Sequence, residues 1–246
     1  MNSAEPAVLA EQLAKSYRGT RAVVEVSLRV EVGEAVGVVG ANGAGKTTTV
    51  EMIAGLRVPE QGRVRVLGLD PRRDRARLRQ VLGVQLQQAH LHHALRVGEL
   101  VDLYRSFYPD PRPTAELLDL VELTEQRRTS FDKLSGGQQQ RLSIALAITG
   151  RPRVVILDEL TTGLDPTARR RMWGTVERLR SEGVSVLLVS HTMEEVERLC
   201  DRVAVLDAGR VVALDTPANL VTRAGTSTLD EAFVALTGRQ VTEEPA

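Results

Sequence analysis

The chain has 246 residues, with 32 Lys+Arg against 32 Asp+Glu, 42% hydrophobic residues, one cysteine and one tryptophan. That length supports one sizeable core, and zero net charge argues against bulk electrostatic capture of nucleic acid or of an anionic membrane. A single cysteine excludes an internal disulfide framework, and no apolar run approaches the roughly 20 residues that cross a bilayer, so a soluble intracellular protein is expected.

In chain order, Val8 to Val32 reads as antiparallel strand, with Val24, Val26, Leu28 and Val30 alternating. Ala35 to Val39 is a short continuous apolar run of the kind that forms a strand buried on both faces. Immediately after it, Gly40-Ala-Asn42-Gly43-Ala44-Gly45-Lys46-Thr47 fits G-x-x-x-x-G-K-[ST] in the strand-then-helix context that gives the motif its meaning. Glycines let the backbone curl so that N–H groups point inward at phosphate oxygens. Lys46 adds a mobile charge for the β and γ phosphates, the Thr47 hydroxyl is placed to ligate Mg²⁺, and a helix starting near Thr47 aims its positive end at the same anion. This segment predicts a nucleoside triphosphate site.

Arginine outnumbers lysine 29 to 3, as in a GC-rich genome, and Arg72, Arg73, Arg75, Arg77 and Arg79 form a basic run. Its simplest reading is a solvated helix face, with a phosphate or lipid-headgroup contact as the alternative. From about 88 to 150 the strand signal stops. Val97, Leu100, Val101, Tyr104, Phe107 and Tyr108 have helical spacing and read as lobe core. Pro109, Pro111 and Pro113 interrupt, and a second helix is predicted over Ala115 to Leu123.

Ser135-Gly136-Gly137-Gln138 has capping-box spacing with two bare glycines at the start of a helix. Glycine there costs on the order of 0.5–1 kcal/mol each relative to alanine, which makes sense if an anion must approach the backbone closely. One nucleotide cannot obviously use both this tip and the phosphate loop of the same chain. A dimer in which each tip closes on the other copy's γ-phosphate resolves that.

Val154 to Leu157 is a second buried strand, delivering Asp158 and Glu159 at its C-terminal end, the edge where ligands sit in open α/β sheets. Strand alternation points the two carboxylates in different directions, Asp158 towards Mg²⁺ and Glu159 towards the attacking water as general base. Asp165-Pro166 reads as N-cap and first helical residue, with Met172, Val176 and Leu179 facing the sheet. The strand Val184 to Val189 ends in Ser190-His191, and Thr192 to Glu195 has capping-box spacing. Val203 to Leu206 and Val211 to Leu214 form a hairpin through Asp207 to Arg210, and the tail from Val241 is expected to fray.

Together, GANGAGKTT, LSGGQQQR, VVILDE, TTGLDP and His191 closely resemble the motifs of the ATP-binding subunit of ABC transporters, across residues 8 to 220. The resemblance implies an α/β fold: a P-loop NTPase core with a mainly parallel sheet, an N-terminal antiparallel β subdomain and an inserted α-helical subdomain. One ABC ATPase domain is expected, with residues 1–87 and 151–220 as core and antiparallel part, 88–150 as the helical part and 221–246 as C-terminal helix and tail. It further implies ATP and Mg²⁺ as ligands, with Lys46, Gln87, Glu159 and His191 catalytic and Thr47, Gln87 and Asp158 at the metal. Nucleotide contacts fall on Tyr17 (stacked on adenine), the loop residues Gly40, Asn42, Gly43, Ala44, Gly45, Lys46, Thr47 and Thr48, the tip Ser135, Gly136, Gly137 and Gln138, and Asp165.

Gln85-Leu-Gln87-Gln88, Phe107-Tyr-Pro-Asp-Pro and Thr228 to Gly238 look like bacterial exporters of drugs, antibiotics or lipids. The partners implied are a second copy of the chain, or a paralogous ATPase, and a separate transmembrane permease holding it at the cytoplasmic face of the membrane. No nucleic acid is expected. His90, His92 and His93 read as a polar contact loop, since their spacing without a carboxylate is a poor metal set. Leu160 stands where the family usually has proline, and Leu214-Asp215-Thr216-Pro217 replaces the usual glycine before Thr-Pro. Two other readings remain: a soluble ABC ATPase without a membrane partner, such as an iron–sulfur assembly factor, and a non-enzymatic ATP-gated module.

Overall fold

The N-terminal alternation produces two antiparallel strands, β1 (Val8–Tyr17) and β2 (Thr20–Val30), in a computed structural model that describes residues 5–86, 94–162 and 164–238. Arg18 and Gly19, both at positive φ, form the two-residue turn between them, matching the twist of the strands. β3 (Ala35–Gly40) is buried along its whole length and leads into α1 (Lys46–Ile53). β4 (Gln61–Val66) returns beside β1, and α2 (Arg75–Val81) precedes β5 (Leu82–Gln85).

The described residues between β5 and β6 (Val154–Asp158) carry three α-helices, α3 (Val97–Arg105), α4 (Thr114–Leu120) and α5 (Gly136–Ala147), and two short 3-10 turns. Then come α6 (Pro166–Ser181), β7 (Ser185–Val189), α7 (Met193–Leu199), the hairpin β8 (Arg202–Asp207) and β9 (Arg210–Asp215), and two helices, α8 (Pro217–Ala224) and α9 (Leu229–Thr237).

The strands make one sheet in the order β4-β1-β2-β9-β8-β3-β7-β6-β5. β8, β3, β7, β6 and β5 pair parallel, whereas β4, β1 and β2, and the β8–β9 hairpin, pair antiparallel. Alternation divides the core in two. Val155, Leu157, Val186 and Leu188 face a cluster built with the helices that follow β5, while Val154, Ile156, Leu187 and Val189 face Val50, Met52 and Ile53 of α1. Burial on both faces is why these strands read as unbroken apolar runs. None of the helices among the described residues is long and apolar enough to cross a membrane.

Local expectations fail at three places. α3 stops at Arg105, leaving Phe107 and Tyr108 outside it, and Phe107 is 61% exposed rather than core. Ser106 bonds back to the Leu103 carbonyl through its Oγ, and Pro109 disfavours helical geometry at Tyr108. α4 ends before Leu123 because Glu122 takes a left-handed conformation, φ 53°. The capping box at Thr192 does not form: Glu195 is turned inward to accept from Trp173 Nε1 at 3.0 Å, and the Thr192 N–H donates to Ser190 Oγ at 3.0 Å instead.

Candidate functional site

The phosphate loop is shaped by close approaches that only glycine permits. At Gly40 a Cβ would lie 2.6 Å from the Leu206 carbonyl oxygen, so β3 leaves the sheet hard against β8. Gly45 has φ 98°, and a Cβ there would meet the Ala22 carbonyl at 2.5 Å. Gly45 is also the N-cap of α1 and supplies no side-chain cap, which leaves the first N–H groups of that helix open to an anion. Beneath the loop, Ala44 is buried and its carbonyl accepts the Gly209 N–H at 3.1 Å.

Lys46 Nζ donates to the carbonyls of Gly40 (2.8 Å) and Ala41 (3.2 Å). Burial lowers its pKa, and the charges of Glu159 and Asp158 oppose that. Asp158 closes β6 at 1% exposure, and neither of its carboxylate oxygens has a hydrogen-bond partner among the described residues. Burial first, then Glu159, raises its pKa from 3.8 to about 6, with Lys46 pulling the other way. Gln85, buried at the end of β5, accepts the Asp158 backbone N–H through its Oε1 at 3.1 Å.

Glu159 lies just past the strand at φ 53°. Strand alternation therefore does not aim it. A left-handed turn does, and such a conformation costs roughly 1–2 kcal/mol in a non-glycine residue. The Glu159 N–H donates to the Val189 carbonyl at 2.9 Å, and Gln140 Nε2 of α5 donates to the carbonyls of Glu159 and Leu160, each at 3.3 Å. Leu160 is fully buried, its side chain in the larger apolar cluster.

These elements surround one cleft of about 410 Å³. Asn42, Gly43, Gly45, Lys46, Thr47 and Thr48 line one side, and Glu159, Thr162 and His191, from the ends of β6 and β7, the other. The remaining expected residues lie elsewhere. The Tyr17 ring sits under the Arg57 guanidinium, 5.4 Å from its centroid, and lies outside that wall. Ser135 and Gln138 form the expected capping box, with bonds of 3.3 and 2.9 Å, and the exposed Gly136 has open space where a Cβ would stand. Gly137 differs, since a Cβ there would press on Leu164 at 2.9 Å. Asp165 caps α6, accepting from Thr167 and Ala168 N–H at 2.8 and 2.9 Å, and the Ala168 bond leads the causes that lower its pKa. Gln87, with Gln88, His90, His92 and His93, lies outside the described residues.

Sequence reasoning missed Gln85, Gln140, Thr162 and Gly209. A polar residue at the end of an apolar strand was the one available signal, for Gln85. The bonds of Gln140 and Gly209 join segments far apart in the chain, and no local pattern announces them.

The family model described as ABC transporter matches residues 23–162. The linearmycin resistance ATP-binding protein LnrL of Bacillus subtilis is 34% identical over 92% of this chain and 74% of its own length. Nod factor export ATP-binding protein I of Rhizobium johnstonii is 37% identical over 85% of this chain and 69% of its own. Among solved structures, an ATP-binding subunit of an ABC transporter superposes with TM-score 0.85 at 28% identity, covering 94% of this chain and 99% of that one. The ATP-binding cassette MJ0796, a dimer bound to ADP and Pi, superposes with TM-score 0.78 at 26% identity over 85% of this chain and 98% of its own. The chain belongs to the ABC transporter family and carries that family's ATP-binding, ATP-hydrolysing cassette.

Proposed function

We propose that this chain is the ATPase subunit of an exporter, that two copies close on two ATP molecules, and that hydrolysis reopens them to drive a separate transmembrane permease. The convergence of Lys46, Thr47, Glu159 and His191 on one cleft carries the reading. The relatives named for linearmycin resistance and Nod factor export support a drug, antibiotic or lipid-like cargo. They favour that reading over a soluble assembly factor.

In this mechanism the loop N–H groups and Lys46 bind the phosphates, and Glu159 orients a water and takes its proton. The water oxygen bonds to the γ-phosphorus as the bond to the β–γ bridging oxygen breaks, releasing ADP and phosphate. His191 contacts the γ-phosphate from the opposite wall, and Tyr17, freed from Arg57, stacks on adenine. Mg²⁺ suits the hard oxygen donors present: the two unpartnered, buried oxygens of Asp158 and the Thr47 hydroxyl. Gln87 would complete that set, and when bound the ion would neutralise phosphate charge.

The exposed Gly136 tip, outside the cleft wall, supports a role towards a second copy, and the similar cassette MJ0796 is a dimer. Asp165 would lie at the same interface. A groove of about 850 Å³ lined by Leu86, Tyr104, Phe107 and Tyr108 supports docking of a permease helix and attachment at the cytoplasmic face of the membrane. The core (1–87 and 151–220), helical (88–150) and C-terminal (221–246) parts are proposed as the units that move.

The test is Glu159→Gln. ATP binding is expected to persist, turnover to fall about 10²–10⁴-fold, and ATP-dependent dimers to accumulate in light scattering. Near-normal turnover, or a strict monomer with ATP bound, would count against the mechanism.

A further inference from the structure

The arginines of the basic run after β4 are all exposed, as a solvated run should be, but they do not share one surface. Arg79 lines the aromatic groove and Arg77 lies 3.8 Å from Asp74. Arg72 and Arg75 instead line a separate cleft of about 210 Å³ together with Arg57, Arg63 and Arg65, over apolar residues such as Met52, Val58 and Pro71. No described residue lines both this cleft and the nucleotide cleft.

The charge in this cleft is unbalanced. Guanidinium groups stay protonated at any working pH, so crowded arginines find relief only in anions. Asp70, the one carboxylate among the described residues of the wall, holds Arg65 at 2.5 Å. Arg57 and Arg63 pair with Glu51 and Glu11, which stand outside the wall. Arg72 and Arg75 have no ion pair with any described residue.

The wall is also held in place. The Asp70 carboxylate accepts the N–H groups of Arg72 (2.9 Å) and Arg73 (3.1 Å), and the Asp70 N–H donates to Asp74 at 2.9 Å. Gly55, at φ 74°, packs so tightly that a Cβ would lie 2.8 Å from Pro71. A fixed backbone sets where the exposed Arg72 and Arg75 side chains start, and planar guanidinium groups match phosphate oxygens two at a time.

We propose that this cleft is a second anion site, distinct from the nucleotide site, which binds a phosphate monoester between Arg72 and Arg75. Such a group carries about 1.5 to 2 negative charges near neutral pH, which matches the two arginines without partners. The apolar floor takes the carbon body that bears the phosphate. Two sources offer this chemistry: a membrane lipid with a phosphomonoester headgroup, or a small soluble phosphate ester. The inference is independent of the export reading.

The experiment uses the full chain with its nucleotide cleft saturated by ADP. One arm measures co-sedimentation with phosphatidylcholine–phosphatidic acid vesicles against pure phosphatidylcholine, and the other titrates glycerol phosphate by calorimetry. Binding in the vesicle arm alone identifies the lipid headgroup; binding of glycerol phosphate identifies the soluble ester. In either case Arg72→Ala/Arg75→Ala is expected to bind at least about tenfold more weakly with ADP affinity unchanged. Arg72→Lys/Arg75→Lys, which keeps charge but loses the fork, is expected to fall between. Binding of neither probe, or equal binding by wild type and the alanine variant, overturns the proposal.

Discussion

Gln140 Nε2 reaches from α5 to the backbone carbonyl of Glu159 at 3.3 Å, tying that helix to the left-handed turn that presents the carboxylate. The same amide donates to Leu160. A residue in a costly backbone conformation keeps it only when its surroundings insist, and Gln140 is one of the groups that do so. Gln140→Ala is expected to lower turnover about tenfold, with KM for ATP within about twofold and a stability loss near 1 kcal/mol. Steady-state kinetics beside urea melts check this. A rise in KM with normal turnover would assign Gln140 to binding instead.

Asp158 makes the metal-free fold pH-dependent. Its carboxyl has a pKa of about 6 in the folded chain against an ordinary 3.8, so the folded state holds the proton more tightly. Below about pH 4 both states are protonated and nothing is lost. Between 4 and 6 the unfolded chain ionises first and stability falls as pH rises. Above 6 the full cost stands, at roughly 3 kcal/mol as an upper figure. Asp158→Asn should therefore stabilise the metal-free protein at pH 7.5 but not at pH 4, while abolishing Mg²⁺-dependent hydrolysis. Thermal melts in chelator at the two pH values decide it, and equal shifts at both would refute the charge explanation.

Trp173 is the sole tryptophan, and its Nε1 satisfies Glu195, which is 1% exposed. Arg198 stacks on the indole, 5.1 Å from its centroid. This contact joins the helix after Asp165 to the helix after His191. Trp173→Phe removes the donor and is expected to cost about 1–3 kcal/mol, the usual penalty for stripping a partner from a buried polar group. Denaturant melts followed by circular dichroism measure it. A change under about 0.5 kcal/mol would mean that Glu195 finds another donor.

Ser135→Arg puts a long cation where the dimer reading requires open space. Nucleotide affinity of the single chain is expected to stay within about twofold, while dimerisation and hydrolysis disappear. The lost cap costs about 1 kcal/mol of stability, too little to unfold the chain. Intact hydrolysis would remove this tip from the reaction.

Much of this molecule was legible because its signals are local. The apolar runs of β3, β6 and β7, the glycine spacing of the phosphate loop, the Asp165 cap and the Ser135 box all lie within a few residues of what they determine. The misreadings arose where a distant group decides, or where a neighbouring residue or a single backbone angle breaks the pattern. Glu195 had a capping partner in view at Thr192 but is claimed by Trp173, on another helix. Phe107 continued a helical stripe that Ser106 and Pro109 bring to an end. Alternation was expected to divide Asp158 from Glu159, but Glu159 lies beyond the strand, where a left-handed backbone rather than a pleat sets its direction.

Gly209 braces the phosphate loop from the far end of the chain. Its N–H holds the Ala44 carbonyl, its own carbonyl accepts from Val24 and Glu25, and a Cβ would lie 2.8 Å from the Val24 nitrogen. A ribosome making this protein completes the GANGAGKTT segment well before the hairpin that buttresses it emerges. Nascent chains released before that hairpin should gain no grip on ATP, and supplying the missing C-terminal fragment should restore it.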